Sequence, residues 1–320
     1  MLKRGKRFGK PWQRAAGALL VALWVTGFVN LEAQAQDSAR LNKVIQNLEA
    51  EVAAVGLLAF DFSLSNARSL SRSNLDFIII DMEHSPYDVE TLRRFLLGMT
   101  DKRRISDTGS LQPAVVPLVR IPAVGQESLL AMTKQVLDVG VYGVMFPSIN
   151  TAHEAEKAVR AMRYPQGRRA PDLEPKGLRG RNPSNAAWYW GVSDYVERAD
   201  VWPLDSKGEL LALIQIETEE AVGNAEAIMS VPGVGGIFIG PLDLATDMGY
   251  ERTSHPAVEE AIQSVLAVCL RRNIPCAITT NPESVQQRLQ QGFRLVTVGV
   301  DTGLPARAQE ALQKARAVGQ

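Results

Sequence analysis

Eight short apolar runs, each followed by an amphipathic stretch, constrain this chain more than any other feature. They are GLLAFDF (56–62), DFIIID (76–81), AVVPLVRI (114–121), YGVMFPSI (142–149), LLALIQIE (210–217), GGIFIGP (235–241), PCAITT (275–280) and LVTVGV (295–300). Most are too continuously apolar to alternate, which predicts strands buried on both faces of a parallel sheet. The stretches between them, such as QESLLAMTKQVLDVG, TAHEAEKAVRAMR and HPAVEEAIQSVLAVCLRRN, have helical periodicity, and several end in Gly or Asn. Eight strands, each followed by a helix, is the count of an α/β fold of the (β/α)8 barrel type. The main rival, a doubly wound open sheet, would more often carry a Gly-rich phosphate turn after an early strand, and none is present. LNKVIQNLEAEVAAVG, ahead of the first strand, predicts an extra N-terminal helix that closes the bottom of the barrel. The region from Tyr164 to about Gly208 is rich in Pro, Arg, Gly and Trp, and is expected to be an irregular insert with a functional or oligomer-contact role.

The N-terminus is expected to be a targeting segment. Lys3, Arg4, Lys6 and Lys10 precede the apolar run AAGALLVALWVTGFV, and Ala33 and Ala35 give the small-x-small pattern of a cleavage site. The apolar core is short for a membrane span. This predicts a signal peptide over 1–35, a barrel domain over 36–320, and a secreted or periplasmic protein with no membrane attachment after cleavage. Removing the six basic residues and one acidic residue of the leader leaves 29 basic against 34 acidic, a net of −5. That balance leaves no basic patch for nucleic acid or a membrane surface. Cys269 and Cys276 are the only cysteines, one expected on a helix and one on the next strand, so no disulfide framework exists even if the two pair.

In a barrel of this kind chemistry sits where strands end and the following loops begin. The polar residues at those ends are Asp81, Glu83 and His84 at the end of the second run, Arg120 at the end of the third, and Pro147 and Ser148 at the end of the fourth. Gln215 and Glu217 end the fifth, and Asp243 and Asp301 follow the sixth and the eighth. Glu217 and Asp243 are hard oxygen donors on successive strands, suited to a divalent cation that fills its other positions with water or substrate oxygens. Such a cation polarises a carbonyl. His84 is the candidate base, with Asp81 expected to hold its orientation. Arg120 is a fixed charge for a developing enolate oxygen. The backbone of GPLDLA, opening into a helix, offers N–H groups to a carboxylate. Each residue alone has a structural explanation, as a helix cap, an ion-pair partner or a satisfied strand-end histidine, and Asp301 is as well explained that way. The convergence of acid, acid, base and arginine at one face favours a site.

The stretches DFIIIDMEHSPYDVETL, VPLVRIP, KQVLDVGVYGVMFPSINTAHEAEKAVRAMRYPQGRR, IQIETEEAVGNAEAIMSVPGVGGIFIGPLDLATDMG and VTVGVDTG resemble the HpcH/HpaI aldolase family, in order and over nearly the whole chain from about Val55 to Ala311. These are class II, metal-dependent pyruvate aldolases that include 4-hydroxy-2-oxoheptanedioate aldolase. The resemblance implies a carbon–carbon lyase that joins or releases pyruvate, as its enolate, and an aldehyde, with a 4-hydroxy-2-oxo acid on the other side. Its cofactor would be a divalent cation, Mg, Mn or Co. It implies His84 as base with Asp81 as its partner, Arg120 on the keto oxygen, Glu217 and Asp243 on the metal, Gln215 beside the substrate, and Gly240, Pro241 and Leu242 at its carboxylate. Family members are commonly homo-oligomers, trimers or hexamers. The same enolate would serve an oxaloacetate decarboxylase or another C–C lyase, and a secreted 2-oxo-acid-binding protein without turnover is the non-enzymatic alternative. The chain departs from the family in the insert around Trp188, Tyr189 and Trp190 and in the extended DTGSLQP approach to the third strand. Both are expected near the mouth of the barrel. A secretory signal is also unusual for the family.

Overall fold

The computed structural model describes residues 40–123, 129–168, 174–301 and 304–318; the expected signal peptide lies outside the described residues. The strands are β1 (Ala54–Ala59), β2 (Phe77–Asp81), β3 (Val116–Arg120), β4 (Gly143–Phe146), β5 (Val201–Trp202), β6 (Leu210–Ile216), β7 (Gly236–Ile239), β8 (Cys276–Thr279) and β9 (Leu295–Val300). All pairings are parallel. β4 pairs with β6, and β1 pairs with both β2 and β9, so eight strands close on themselves while two-residue β5 hangs on the start of β6. This is the (β/α)8 barrel that the eight apolar runs predict, with every barrel strand inside its run except β1, which starts two residues ahead of its run at Ala54. β1, β2, β3, β4, β6 and β7 are buried at every residue, as strands covered by helices outside and packed side chains inside must be.

Fourteen helices are described: α1 (Lys43–Glu49), α2 (Leu64–Ser71), α3 (Val89–Met99), α4 (Lys102–Thr108), α5 (Leu129–Asp138), α6 (Ala152–Met162), α7 (Ser184–Trp190) and α8 (Tyr195–Arg198), then α9 (Glu219–Gly223), α10 (Ala225–Met229), α11 (Pro241–Asp247), α12 (Pro256–Arg272), α13 (Val285–Gln290) and α14 (Ala306–Val318). Among the described residues no helix is long and apolar enough to cross a membrane. Their starts follow local chemistry. Asp88 caps α3 by accepting from the N–H groups of Glu90 and Thr91, and Thr151 with Glu154 forms a reciprocal capping box on α6. Cys269 on α12 and Cys276 on β8 are both buried thiols, on the helix and the strand expected of them.

The N-terminal ends of the strands form a closed floor. Asn42 caps α1 and donates to the carbonyls of Tyr142 and Glu209, while the buried Glu209 carboxylate accepts the N–H groups of Leu41 and Asn42 at 3.0 and 2.8 Å. The insert belongs to this floor as well. Trp190 stacks on Tyr142 at 4.4 Å between ring centroids and donates to the Gly140 carbonyl at 2.7 Å, just ahead of β4. Leu111, Gln112 and Pro113, from the extended approach to β3, line one cavity with Tyr189 and Trp190. The expectation that both stretches sit near the mouth is therefore corrected. A helix in a βα unit carries the chain back to the strand's starting end, so whatever is inserted between α6 and β6, or between α3 and β3, emerges at the bottom.

The insert is tied down by Arg163, fully buried, which clamps Asp200 through Nε at 2.6 Å and Nη2 at 2.8 Å and donates through Nη1 to the Pro175 carbonyl. Removing one partner of a buried pair is more damaging than removing both. Asp200→Ala is expected to destabilise the protein by about 3–5 kcal/mol, read from urea denaturation; a loss below about 1 kcal/mol would show the pair to be dispensable.

Candidate active site

The opposite end, where the strands finish, gathers the residues singled out from the sequence. β2 and β3 run in register with Asp81 beside Arg120, so one strand delivers a carboxylate and the next a guanidinium at the same level of the barrel. Arg120 Nε and Nη2 meet the two Asp81 oxygens at 3.0 and 2.5 Å, and Nη1 meets Glu83 Oε2 at 2.9 Å. Asp81 is completely buried. Its Oδ1 also accepts the N–H of Glu83 at 2.9 Å and the N–H of His84 at 3.4 Å, which fixes the turn after β2. The His84 imidazole points outward from this turn with its side chain 60% exposed, and Nε2 stands 3.6 Å from Glu83 Oε2. Asp81 therefore does not hold the imidazole as expected; Arg120, in register with it, takes up its carboxylate. The other two histidines lie elsewhere, His153 on α6 and His255 as the cap of α12.

Glu217, directly after β6, is buried and turned toward the end of the neighbouring strand β4. Its Oε1 accepts from both the N–H and the hydroxyl of Ser148 at 2.7 and 3.1 Å, and its Oε2 from the side-chain amide of Gln215. Ser148 makes both bonds from a left-handed backbone, φ +53°, a conformation a serine adopts only when its surroundings impose it. Gly240 closes over this pair. A Cβ there would lie 2.8 Å from Glu217 Oε2 and 3.0 Å from Gln215 Nε2, so any larger residue would push on both groups. Asp243 sits exposed in the first turn of α11, whose N-terminus has no side-chain cap and has Pro241 in its first turn. Asp301 is spoken for structurally, accepting from the N–H groups of Phe60 and Asp61, just after β1, and from the side-chain amide of Asn66 on α2.

The HpcH/HpaI aldolase/citrate lyase family model matches residues 59–308 of this chain. The chain belongs to the HpcH/HpaI aldolase/citrate lyase family. A 4-hydroxy-2-oxo-heptane-1,7-dioate aldolase of Shigella flexneri is 36% identical over 269 residues, 83% of this chain and 89% of its own length. Among solved structures, an HpcH/HpaI aldolase/citrate lyase family protein from Burkholderia cenocepacia J2315 aligns with a TM-score of 0.69 at 31% identity, covering 86% of this chain and 99% of that one. The citrate lyase beta subunit from M. tuberculosis, complexed with oxaloacetate and magnesium, is similar in fold alone, with a TM-score of 0.54 at 14% identity over 86% of this chain and all of that one. As a family member the protein is a carbon–carbon lyase of the aldolase class.

Electrostatically the family's mouth in this chain is overloaded with negative charge. Burial pushes the Glu83 carboxyl up to about 7, Arg120 opposes this, and the charges of Glu217, Asp81 and Asp243 add to it. Glu217 is raised by burial, against the Ser148 N–H that favours its charged form, and raised further by Asp243. Burial works against the Arg120 charge, yet the hydrogen bonds and charge of Asp81, with the charges of Glu83 and Glu217, leave its pKa above the ordinary value. Three carboxylates, Asp81, Glu83 and Glu217, thus act on one guanidinium, and Asp243 adds its charge to Glu83 and Glu217. Of roughly four lone-pair directions on Glu217, three are taken, leaving one open. Among the described residues no three or more His, Cys, Asp and Glu side chains converge as a ready-made metal cage. The set fits a hard cation held by two carboxylates and completed by water or substrate, and such a charge would relieve the repulsion. The buried Gln215 carbonyl oxygen, which makes no hydrogen bond, faces the same problem of an unmet polar group.

Two members of the site carry no role in the sequence reading. Glu83 was visible beside His84, and Ser148 at the end of a strand, but nothing in a linear pattern reports that one meets Arg120 and the other turns left-handed to hold Glu217.

The raised carboxyls give a signed pH dependence. Glu83 binds its proton more tightly folded than unfolded, so its contribution to stability is complete below its unfolded value and is lost as pH rises through about 7. Glu217 has the same sign. The surface carboxylates Asp88 and Asp101, held low by hydrogen bonds from Thr91 and the Arg104 N–H, act oppositely and only as pH falls into the acid range. In metal-free protein the stability gap between wild type and Glu83→Gln, measured by urea denaturation, is expected to move in favour of the variant between about pH 5 and about pH 8. A gap that stays constant across that range would contradict the assignment.

Proposed function

We propose that the protein is a divalent-metal-dependent pyruvate aldolase, cleaving a 4-hydroxy-2-oxo acid to pyruvate and an aldehyde or running the reverse condensation. The observation that carries this reading is the junction of an accessible base, His84, with Arg120 and the Glu217–Asp243 pair at the mouth. Arg120 has five N–H donors, of which three are engaged by Asp81 and Glu83, so two remain for a substrate oxygen. In the cleavage direction His84 takes the proton of the 4-hydroxyl as the C3–C4 bond breaks and the aldehyde carbonyl forms. The electron pair of that bond moves toward C2 as the enolate of pyruvate, and the Arg120 guanidinium, locked in place before substrate arrives, faces the oxygen where charge develops. Return of a proton to C3 yields the methyl group of pyruvate. A divalent cation held by Glu217 and Asp243 would polarise the C2 carbonyl as a Lewis acid. Gln215 would lie beside the substrate, and the start of α11, Gly240 to Leu242, would receive its carboxylate. The N-terminal leader supports a secreted or periplasmic setting for this chemistry.

Oxaloacetate decarboxylation draws on the same enolate, and the similarly folded M. tuberculosis protein is complexed with oxaloacetate and magnesium. The test is pyruvate release from 4-hydroxy-2-oxoheptanedioate and from oxaloacetate, with Mg, Mn or Co and then with EDTA. Release from the hydroxy acid that needs metal is expected, with His84→Ala slower by roughly 10²–10⁴-fold. Metal-dependent release from oxaloacetate alone would favour the decarboxylase, and release from neither substrate would overturn both readings.

A further inference from the structure

We infer that the floor of the barrel carries a second binding site, a groove for a small amphipathic anion in which an aromatic ring system bears an acidic group. The groove lies where the two stretches that depart from the family meet. Leu111, in the extended approach to β3, and Trp188 and Tyr189, on α7 of the insert, form one wall. Leu97, Gly98 and Ile105, at the junction of α3 and α4, form the other. The space between them is about 750 Å³, within the range of about 300–1,000 Å³ usual for small-ligand sites. A smaller cavity lined by Pro113, Tyr142 and Trp190 adjoins it and shares Leu111 and Tyr189. The aromatic wall is fixed before any ligand arrives. Tyr189 rests on Gly140, where a Cβ would stand 2.5 Å from its ring, and Leu111 rests on Gly191, where a Cβ would stand 3.2 Å away.

Two properties of the lining set the class of ligand. The first is apolar surface left in water. Trp188 is 72% exposed, and Leu97 and Leu111 are exposed beside it, an arrangement that marks a surface another molecule covers. The second is charge. Arg68, Arg72, Lys102 and Arg103 line the groove against one acid, Asp101. That acid is already engaged, accepting from the N–H groups of Arg103 and Arg104 and standing 3.3 Å from Arg72 Nε. Arg103 is held loosely, 3.6 Å from Asp107, and among the described residues no carboxylate pairs with Arg68 or Lys102. The whole chain balances 35 basic residues against 35 acidic ones, so this excess of positive charge is local. An inorganic anion would leave the indole and the leucines in water, and a neutral ring would leave the cations unused. A flat ring on Trp188 with its acidic group toward Arg68 and Lys102 satisfies both.

The probe is 8-anilinonaphthalene-1-sulfonate, titrated into the protein and followed by its fluorescence. Saturable binding is expected, with naphthoate, a carboxylate of the same class, displacing it. Trp188→Ala should weaken binding by about 3- to 10-fold, and Trp188→Phe should restore most of the loss. The double substitution Arg68→Ala with Lys102→Ala should weaken it by about 3- to 10-fold as well. The uncharged parent, N-phenyl-1-naphthylamine, should bind more weakly than the sulfonate and ignore the double substitution. Added salt should weaken the sulfonate alone. The three substituted residues are exposed and lie at the end of the barrel away from Arg120 and Glu217, so thermal unfolding and pyruvate release should match wild type. Sulfonate binding unchanged in Trp188→Ala and in the double variant would overturn the site. So would equal binding of the uncharged parent, or no saturable binding. Because binding is read without turnover, the result stands apart from the aldolase reading.

Discussion

The bidentate pair between Arg120 and Asp81 is the interaction on which the rest of the mouth depends. It exists because β2 and β3 are parallel neighbours in register, so their last residues meet at one level and their opposite charges face each other out of water. A guanidinium fixed by two oxygens on one side and Glu83 on another has little freedom left, and it presents its remaining donors in one direction. The same carboxylate organises the turn that carries His84. Charge placement and loop geometry are thus set by one residue, and catalysis of enolate chemistry requires both to be in place before substrate arrives.

The two ends of the barrel have separate duties. At the floor, buried ion pairs and aromatic stacking hold α1 and the insert against the strand starts, through Glu209, Arg163 with Asp200, and Trp190 on Tyr142. Glu209, Arg163, Asp200 and the Trp190 indole each meet a hydrogen-bond partner there. At the mouth the balance is reversed, with carboxyls raised by burial and by each other, a left-handed serine and a glycine whose missing Cβ admits a helix terminus. Local conflicts of this kind lower stability and are tolerated where they serve chemistry. A protein without such a function would gain by replacing the acids.

Much of this architecture is legible in the linear pattern because burial on both faces leaves a continuous apolar run, and each such run became a barrel strand. The positions of Asp81, Arg120, Glu217 and Asp243 are legible for the same reason, since each lies at or just past the C-terminal end of a run. What the pattern does not contain is cross-strand register, so the partner of Asp81 was expected to be nearby His84 rather than Arg120, 39 residues away. Nor does it contain backbone handedness at Ser148. The place of the aromatic insert follows from chain direction rather than from composition. Direction alternates from strand to helix, and following that alternation from α6 would have led Trp190 to the floor instead of the mouth.

The central claim is that this mouth forms the enolate of pyruvate, and the most direct measurement leaves the aldehyde out. Pyruvate in deuterated buffer, incubated with the protein and Mg, Mn or Co, should lose its methyl proton signal by NMR. The loss should stop with EDTA and be absent in His84→Ala. Bound pyruvate that keeps its methyl protons with all three metals would contradict the account.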